Sequence, residues 1–181
     1  MQTATFQTAT TEDTLALARG LAVAIRAVAP DRVLVELQGD LGAGKTVFVR
    51  GLAHAIGVAP DARVVSPTFT IARAYPIEGA PVSMLHHLDA YRLGGVEDLE
   101  AIGFEEMCGK GCLTCVEWGE YVEDALPEDR IRMQLQALPP PDLAPGEAPE
   151  CPRAIEVEAL GPVSATLLEA WHGAAQEALT S

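Results

Sequence analysis

The chain has 181 residues, of which 49% are hydrophobic, and its formal net charge is −14, with 12 Lys and Arg against 26 Asp and Glu. This length and apolar content favour one domain over residues 1–181 with a sizeable core, while the acidic balance opposes broad binding to nucleic-acid phosphates. No run approaches the roughly 18 apolar residues of a membrane helix, and residues 1–14 lack a signal-peptide pattern, so we expect a cytoplasmic protein.

The first predicted elements are a helix, a strand and a second helix. Residues 10–28 predict an amphipathic helix, because apolar side chains recur at helical spacing behind threonines that suit a helix N-cap. Residues 32–38, "RVLVELQ", are almost continuously apolar, which indicates a strand covered on both faces in a parallel sheet. Residues 45–57 predict a second helix, which Gly57 ends.

The middle of the chain predicts a hairpin, short helices and a buried strand. Residues 63–75 and 82–93 are two candidate strands joined by the turn-rich "PIEGAP". Residues 94–107 suit one or two short helices, and residues 112–118, "CLTCVEW", suit a further buried strand.

Two strands and a last helix complete the prediction. Residues 130–138 and 153–160 alternate apolar and polar side chains, which is typical of antiparallel strands with one wet face. The proline-rich residues 139–152 between them predict a surface loop, and residues 163–179 predict a helix. The order of elements favours an α/β fold with a mixed sheet flanked by helices.

The segment that connects the first predicted strand to the second predicted helix is "GDLGAGKT", from Gly39 to Thr46. It fits G-x4-G-K-T, in which glycines allow backbone N–H groups to turn inward around nucleotide phosphates. In such a loop Lys45 reaches the β and γ phosphates, and the Thr46 hydroxyl binds Mg²⁺. The alternative is a plain glycine-rich turn, but the predicted strand before it and helix after it favour a P-loop NTPase-like fold that binds a nucleotide.

Hydrolysis needs a further acidic group near the metal and a group that orients the nucleophile. Asp89 and Glu117 each end an apolar strand, where ligands of open α/β sheets collect, although a solvated strand-end carboxylate is an equal alternative. The hydroxyls of Ser66 and Thr68 flank Pro67 and suit a sensor of the γ-phosphate, with a plain turn as the alternative.

Three cysteines, Cys108, Cys112 and Cys115, are spaced C-x3-C-x2-C, a spacing that can ligate an iron–sulfur cluster. Cys112 and Cys115 enter a predicted strand, however, where an odd offset turns side chains to opposite faces. We therefore favour ordinary buried thiols over a cluster, and expect no disulfide in a reducing compartment.

The class of nucleotide protein is narrowed by missing motifs. The chain has no N-K-x-D, which disfavours a GTPase, and no L-S-G-G-Q, which disfavours a transporter ATPase. Its arginines are scattered rather than grouped in a lid, which disfavours a small-molecule kinase. An ATPase and a nucleotide-gated binding module that hardly turns over stay open.

Five motifs, "GDLGAGKT", "SPTFTI", "HLDAYRL", "IGFEE" and "VEWGE", occur in the order and approximate spacing of the TsaE family, also called YjeE. The chain resembles this family over roughly residues 10–137. The family is the ATPase component of the bacterial machinery that makes N6-threonylcarbamoyladenosine at position 37 of tRNAs that read codons beginning with A.

The resemblance implies a mixed-sheet P-loop fold and a Mg²⁺-dependent ATPase of low intrinsic activity, with ATP and ADP as ligands. It also implies work with the TsaB and TsaD proteins, of which TsaD performs the transfer onto tRNA. The chain would then meet tRNA only through the complex, and neither DNA nor a membrane would be a partner.

The resemblance also assigns residues. By it, catalytic roles fall to Lys45, Asp89, Glu117 and Thr68, with Thr68 acting as a switch residue, and Mg²⁺ falls to Thr46 and Glu117; nucleotide contacts fall to Thr11, Gly42, Ala43, Gly44, Lys45, Thr46 and Val47. The chain departs from the family in "MCGKGCLTC" and in residues 139–152, so a contact of Arg153 with the adenine is an open expectation.

Overall fold

The computed structural model of the chain describes residues 2–139 and 152–180. Within these residues there are seven strands and five α-helices, with short 3-10 turns between some of them. The strands are β1 (Gln2–Thr8), β2 (Val33–Gln38), β3 (Ala72–Pro76), β4 (Met84–Asp89), β5 (Cys112–Glu117), β6 (Ile131–Ala137) and β7 (Arg153–Ala159). The helices are α1 (Thr11–Val28), α2 (Lys45–Ile56), α3 (Val96–Ala101), α4 (Phe104–Met107) and α5 (Pro162–Thr180).

The strands form one mixed sheet in the order β1-β7-β6-β2-β5-β4-β3. β2 is parallel to β5 and β6, and β5 is parallel to β4, so the centre of the sheet is parallel. The outer pairs, β1 with β7, β7 with β6, and β3 with β4, are antiparallel. The predicted α/β fold class, a mixed sheet flanked by helices, is confirmed.

Both faces of the central strands are covered, which is why β2 reads as a continuous apolar run. On one face α1, α2 and α5 pack over the larger core, where Trp171 and Phe48 are fully buried. The indole N–H of Trp171 donates to the Leu17 carbonyl at 2.9 Å, so the largest core side chain also satisfies its polar atom. The opposite face carries a smaller core that includes Leu99 and Phe104 from α3 and α4.

The predicted helices at the two ends of the chain are confirmed. α1 begins in a capping box, in which the Thr10 hydroxyl accepts from the Asp13 N–H at 3.1 Å and the Asp13 carboxylate accepts from the Thr10 N–H at 3.0 Å. In α5 the side chains of Leu167, Trp171 and Ala175 form a buried stripe, whereas Val163 near the start of the helix is 43% exposed.

Sequence patterning missed β1, whose residues pair with β7 from Gln2 opposite Ala159 to Thr8 opposite Arg153. Phe6 is the only large apolar side chain in this threonine-rich strand, so the alternation carries little hydrophobic contrast. An edge strand needs only one buried face, and Phe6 supplies the anchor by packing on the Trp171 ring at 5.4 Å between centroids.

The predicted hairpin of β3 and β4 is confirmed, but the strand predicted from residue 63 begins only at Ala72. Residues 67–71 form a turn in which the Pro67 carbonyl accepts from the N–H groups of Thr70 and Ile71, at 2.9 and 2.7 Å. Proline lacks the N–H that a ladder needs, and Ile71 adopts a positive φ of 65°, so pairing cannot extend through this segment. The turn bends Ser66 and Thr68 back toward the end of β4.

The proline-rich loop predicted over residues 139–152 falls almost wholly outside the described residues, which omit 140–151. In the part of the chain that the structure describes, no helix has both the length and the apolar character required to cross a bilayer.

Asp129 fixes the start of α5. Its two carboxylate oxygens accept from the backbone N–H groups of Val163 and Ser164, each at 2.9 Å. Burial acts to raise the pKa of Asp129, but these hydrogen bonds outweigh it and hold the pKa below its usual value of 3.8. The fold thus favours the ionised form, so its stabilisation is present above the usual pKa and is lost as the pH falls through the lowered one.

We therefore expect Asp129→Ala to lower the free energy of unfolding by about 1 kcal/mol near neutral pH. The difference from the wild type should shrink as the pH falls below about 4. Urea unfolding followed by circular dichroism at several pH values measures both, with the exposed Asp124→Ala as the control. A difference that stays constant with pH would contradict this role.

Candidate functional site

The phosphate-binding sequence forms the turn between the end of β2 and the start of α2. Gly39, Gly42 and Gly44 all have positive φ, at 129°, 84° and 106°. Side-chain-bearing residues adopt this region only at a cost, so these glycines set the course of the loop. The first N–H groups of α2 then face the space above the sheet edge, where the helix dipole favours an anion.

Arg153, the first residue of β7, supports this loop from behind. Its guanidinium Nε donates to the Ala43 carbonyl at 3.0 Å, and its Nη1 donates to the Thr14 hydroxyl at 3.2 Å. One buried cation therefore joins the loop to the first turns of α1. A Cβ added to Gly44 would lie 2.5 Å from Arg153 Nε, which is a second reason for glycine there.

Lys45 lies folded onto its own loop and is 4% exposed. Its ammonium donates to the carbonyls of Gly39 and Asp40, the latter at 3.1 Å, and stands 3.7 Å from the centre of the Trp118 ring. Burial lowers the pKa of Lys45, and nearby carboxylates, with Glu117 the strongest, act in the opposite direction. The ammonium sits at the floor of the loop, where phosphate oxygens can replace the backbone carbonyls as its partners.

Thr46 and Glu117 meet although they are 71 positions apart in the chain. The Thr46 hydroxyl donates to both oxygens of the Glu117 carboxylate, at 2.8 and 3.0 Å. Glu117 ends β5 beside Leu37 of β2, so parallel pairing places its side chain directly next to the start of α2. Glu117 is 3% exposed, and its carboxylate also lies 2.7 Å from the buried His87 ring.

Asp89 lies directly opposite Glu117 on the neighbouring strand β4. One oxygen accepts from the hydroxyls of Ser66 and Thr68, at 2.9 and 2.8 Å, and the other accepts from the Tyr91 N–H at 3.1 Å. The two predicted acidic residues therefore form a pair at the carboxyl edge of the sheet. The hydrogen bonds from Ser66 and Thr68 hold the turn at Pro67 against Asp89.

These groups line one cavity of about 460 Å³. Its lining holds eight of the predicted site residues: Gly42, Gly44, Lys45, Thr46, Val47, Thr68, Asp89 and Glu117. Ala43 is buried behind the loop, and Thr11 is exposed at the first turn of α1 without lining the cavity. The structure thus brings together the predicted phosphate loop and both strand-end acids, whereas Thr11 lies outside this cavity.

Large apolar and aromatic side chains lie at and beside the cavity, where Leu41, Tyr91 and Trp118 are part of its lining. Leu41 and Phe69 are 92% and 85% exposed, and Tyr91 and Tyr121 are about half exposed. Trp118 joins the two tyrosines, with ring centres 5.1 Å from Tyr91 and 6.1 Å from Tyr121. We call these five residues the aromatic rim. A monomeric surface seldom gathers so many large apolar side chains around one opening.

The cavity also offers the ligands that Mg²⁺ prefers, which are oxygen atoms of carboxylates and hydroxyls. Thr46, Glu117 and Asp89 supply such oxygens on one side of the phosphate loop. The Thr46 proton is directed at Glu117, which leaves the hydroxyl lone pairs free to bind a cation. The oxygen atoms of these residues therefore have the chemistry that the predicted ion requires.

The cysteine spacing does not form a metal centre among the described residues, where no group of three His, Cys, Asp or Glu side chains is placed to hold a metal ion. Cys115 is buried in the larger core and Cys108 in the smaller one, on opposite faces of the sheet. Burial raises the pKa of both thiols, that of Cys108 to about 11. Among residues 2–139 and 152–180 the three cysteines of this spacing are free thiols, of which Cys108 and Cys115 are buried and Cys112 is partly exposed.

Comparison with known proteins decides the family. The family model of the threonylcarbamoyl adenosine biosynthesis protein TsaE matches residues 8–139, well over half of the chain. The chain belongs to the TsaE family. A relative named tRNA threonylcarbamoyladenosine biosynthesis protein TsaE, from Streptomyces coelicolor, is 40% identical over 131 residues, which cover 71% of this chain and 80% of the relative.

A TsaE protein of Bacillus subtilis is 36% identical over 132 residues, covering 72% of this chain and 76% of the relative. Among solved structures, the crystal structure of Bacillus subtilis YdiB matches with a TM-score of 0.70 at 26% identity and covers 95% of each chain. The TsaE resemblance and the fold class drawn from sequence are thereby confirmed.

Sequence reasoning missed one buried residue of this TsaE family member and left the role of another undecided. His87 was missed, although it shares a strand face with Asp89 because it lies two positions earlier. Arg153 was expected only as a doubtful adenine contact, and the structure instead shows it bonded to the phosphate loop and α1. No local pattern links Arg153 to Ala43, which lies 110 positions away.

The contact of Gly44 with Arg153 gives a stability prediction. Gly44→Ala and Gly42→Ala both place a Cβ on a positive φ, at a cost of about 1–2 kcal/mol. Only Gly44→Ala also meets a neighbour, because no atom lies within 4 Å of a Cβ at Gly42. We expect Gly44→Ala to lower the free energy of unfolding by about 1–3 kcal/mol more than Gly42→Ala, measured by urea unfolding.

The clash should be specific to the arginine. In an Arg153→Ala background the extra cost of Gly44→Ala over Gly42→Ala should disappear, as a double-mutant cycle measures. Equal costs of the two glycine substitutions in the wild-type background would show that Arg153 does not constrain the loop.

Proposed function

We propose that this chain is a Mg²⁺-dependent ATPase that acts in the synthesis of N6-threonylcarbamoyladenosine at position 37 of tRNA. Membership of the TsaE family supports the biosynthetic role, which the names of its relatives state. The observation that carries the chemistry is the phosphate loop whose Thr46 hydroxyl is bonded to the Glu117 carboxylate. This pair unites the two protein groups that a metal–nucleotide site of this class needs.

In the proposed reaction the loop amides and the N-terminus of α2 hold the phosphates of ATP. Lys45 exchanges the carbonyls of Gly39 and Asp40 for phosphate oxygens and offsets their charge. Bound Mg²⁺ supplies further neutralisation of the charge that develops on the phosphates. Thr46 and Glu117 hold the ion, and the loop excludes side chains from the space that the phosphates occupy.

Asp89 is the group proposed to orient the attacking water. Two hydroxyls and one backbone N–H hold its carboxylate in place, so its direction is set before a nucleotide arrives. Thr68 is bonded to Asp89 and lines the same cavity, which suits the switch role expected from the sequence. In this scheme the arrival of a γ-phosphate draws the Thr68 hydroxyl away from Asp89 and frees a carboxylate oxygen to accept from water.

The proposed partners are the TsaB and TsaD proteins, and the aromatic rim is the surface proposed to meet them. Tyr and Trp are enriched in protein interfaces, and exposed apolar groups around an opening favour docking there. A partner on this rim would close the cavity and exclude water, so in this proposal the isolated chain hydrolyses ATP slowly. Hydrolysis then resets the TsaB–TsaD assembly between turnovers.

The net charge of −14 supports contact with tRNA through the complex rather than by this chain alone, and gives no support for binding to DNA. Since tRNA modification takes place where tRNA is found, we place the proposed activity in the cytoplasm.

Substitution of Lys45 and Glu117 tests the site. Lys45→Ala removes a charge-assisted contact with phosphate, and we expect the affinity for ADP to fall roughly 10- to 150-fold. Glu117→Gln keeps the size of the side chain but removes its charge, so we expect Mg²⁺-dependent hydrolysis to fall far more than the affinity for metal-free ADP. Calorimetry and phosphate release measure the two quantities, and unchanged values in both variants would overturn the site assignment.

The role of the rim is tested with the partners present. Phe69→Ser should leave nucleotide affinity in the isolated chain unchanged, yet weaken stimulation by TsaB and TsaD at least about tenfold. Val23→Ser, which removes an apolar side chain that is 57% exposed on α1, is the matched control and should have little effect. Equal hydrolysis by the wild type with and without partners would refute docking as the activating step.

Single-turnover hydrolysis in the assembled complex separates an ATPase from a nucleotide-gated binding module. The ATPase cleaves bound ATP when its partners dock, whereas the module only holds or releases them. Transfer of labelled γ-phosphate to an acceptor other than water would indicate a kinase instead.

A further inference from the structure

His87 is a fully buried imidazole beneath the Thr46–Glu117 pair. Its Nε2 lies 2.7 Å from Glu117 Oε1, a close hydrogen-bond distance. Its Nδ1 is also buried and has no hydrogen-bond partner among residues 2–139 and 152–180. The ring is therefore anchored at one nitrogen only, and that anchor is a proposed Mg²⁺ ligand.

The strand register explains why the ring reaches this carboxylate. Side chains at positions 87 and 89 leave β4 on the same face. β4 runs parallel to β5, with Asp89 opposite Glu117 and His87 opposite Cys115. His87 thus lies two positions further from the carboxyl edge of the sheet than the two acidic residues. It contacts Glu117 diagonally across β4 and β5, from the side away from the cavity.

The contact fixes the tautomer of the ring. An ionised carboxylate only accepts hydrogen bonds, so Nε2 must carry the hydrogen that Glu117 receives. Nδ1 then holds a lone pair in the interior, which proteins tolerate more often than a buried N–H without an acceptor. The Nε2–H tautomer therefore leaves a lone pair, rather than an N–H group, without a partner.

We propose that His87 is a positioning residue that holds the Glu117 carboxylate in the orientation needed to bind a divalent cation. The inference rests on the proposed function, because it concerns the Mg²⁺ that accompanies the nucleotide. Glu117 has several rotatable bonds, and two hydrogen bonds restrain its carboxylate, from Thr46 at the cavity and from His87 below. Groups that hold a ligand carboxylate in this way commonly contribute 10- to 100-fold to metal affinity.

Two amide substitutions distinguish a role of His87 in positioning Glu117 from a role that only fills space in the core. The side-chain nitrogen of Gln lies at about the reach of His Nε2, whereas that of Asn lies at about the reach of Nδ1. His87→Gln therefore keeps a donor for Glu117, and His87→Asn places the same chemical group too far away. His86→Gln is the matched control, because His86 is adjacent on β4, points to the other face and is half-buried.

The test is calorimetric titration of each full-length variant with ADP over a range of Mg²⁺ concentrations. For His87→Asn we expect the Mg²⁺ affinity of the ADP complex to fall roughly 10- to 100-fold, with the affinity for metal-free ADP unchanged. His87→Gln should restore Mg²⁺ affinity to within a few-fold of the wild type, and His86→Gln should match the wild type. A residue that only fills space would lower both affinities together.

A second measurement needs no variant. Long-range ¹H–¹⁵N correlation spectra of the wild type report which ring nitrogen of His87 carries the hydrogen, and we expect Nε2. Hydrogen on Nδ1 instead overturns the proposal, as does a His87→Asn variant with normal Mg²⁺ affinity, or a His87→Gln variant no better than His87→Asn. If His87→Asn fails to fold, the ring spectrum of the wild type and the Mg²⁺ affinity of His87→Gln test the proposal instead.

Failure of the proposed function has a different outcome. A wild-type chain that binds no ADP at any Mg²⁺ concentration overturns nucleotide binding itself, whereas normal binding in the wild type with no effect of His87→Asn overturns only the role of His87.

Discussion

The parallel pairing of β2 with β5 is the constraint on which the site depends. Leu37 pairs with Glu117, and the Trp118 N–H continues the ladder by donating to the Leu37 carbonyl at 2.9 Å. A shift of one residue would turn Glu117 to the opposite face of the sheet and leave Thr46 without its carboxylate. The register is held by burial, since both strands are covered on both faces. The apolar core thereby fixes a polar contact between groups far apart in the chain.

The sequence predicted those parts of the site that depend on residues close together in the chain. The glycines between β2 and α2 need positive φ, and Lys45 and Thr46 follow them at fixed spacing, so one short segment revealed the loop. Asp89 and Glu117 were found because each ends an apolar run. The strands set them side by side, which periodicity could not show because it carries no information on strand order.

The remaining features depend on contacts that no short window contains. The turn at Pro67 delays the start of the predicted strand to Ala72, and only the fold shows that this turn brings Ser66 and Thr68 onto Asp89. Arg153 and His87 act on the site from behind, through Ala43 and Glu117, which lie 110 and 30 positions away. β1 was missed because an edge strand with one anchor, Phe6, has too little hydrophobic contrast to distinguish it from a polar terminus. The family resemblance assigned roles to most of the cavity-lining residues, but it gave none to His87 and did not predict the contact of Arg153 with the phosphate loop.

The aromatic rim and the net charge together bear on colloidal behaviour. The exposed side chains of Phe69, Tyr91 and Tyr121 would by themselves promote self-association. Fourteen excess negative charges make copies of this chain repel one another, over a range of about 10 Å at 0.1 M salt. The same negative charge attracts a basic surface, so electrostatics favours contact of the aromatic rim with a positively charged partner over contact with another copy of this chain. Concentrated salt screens both effects and weakens that preference.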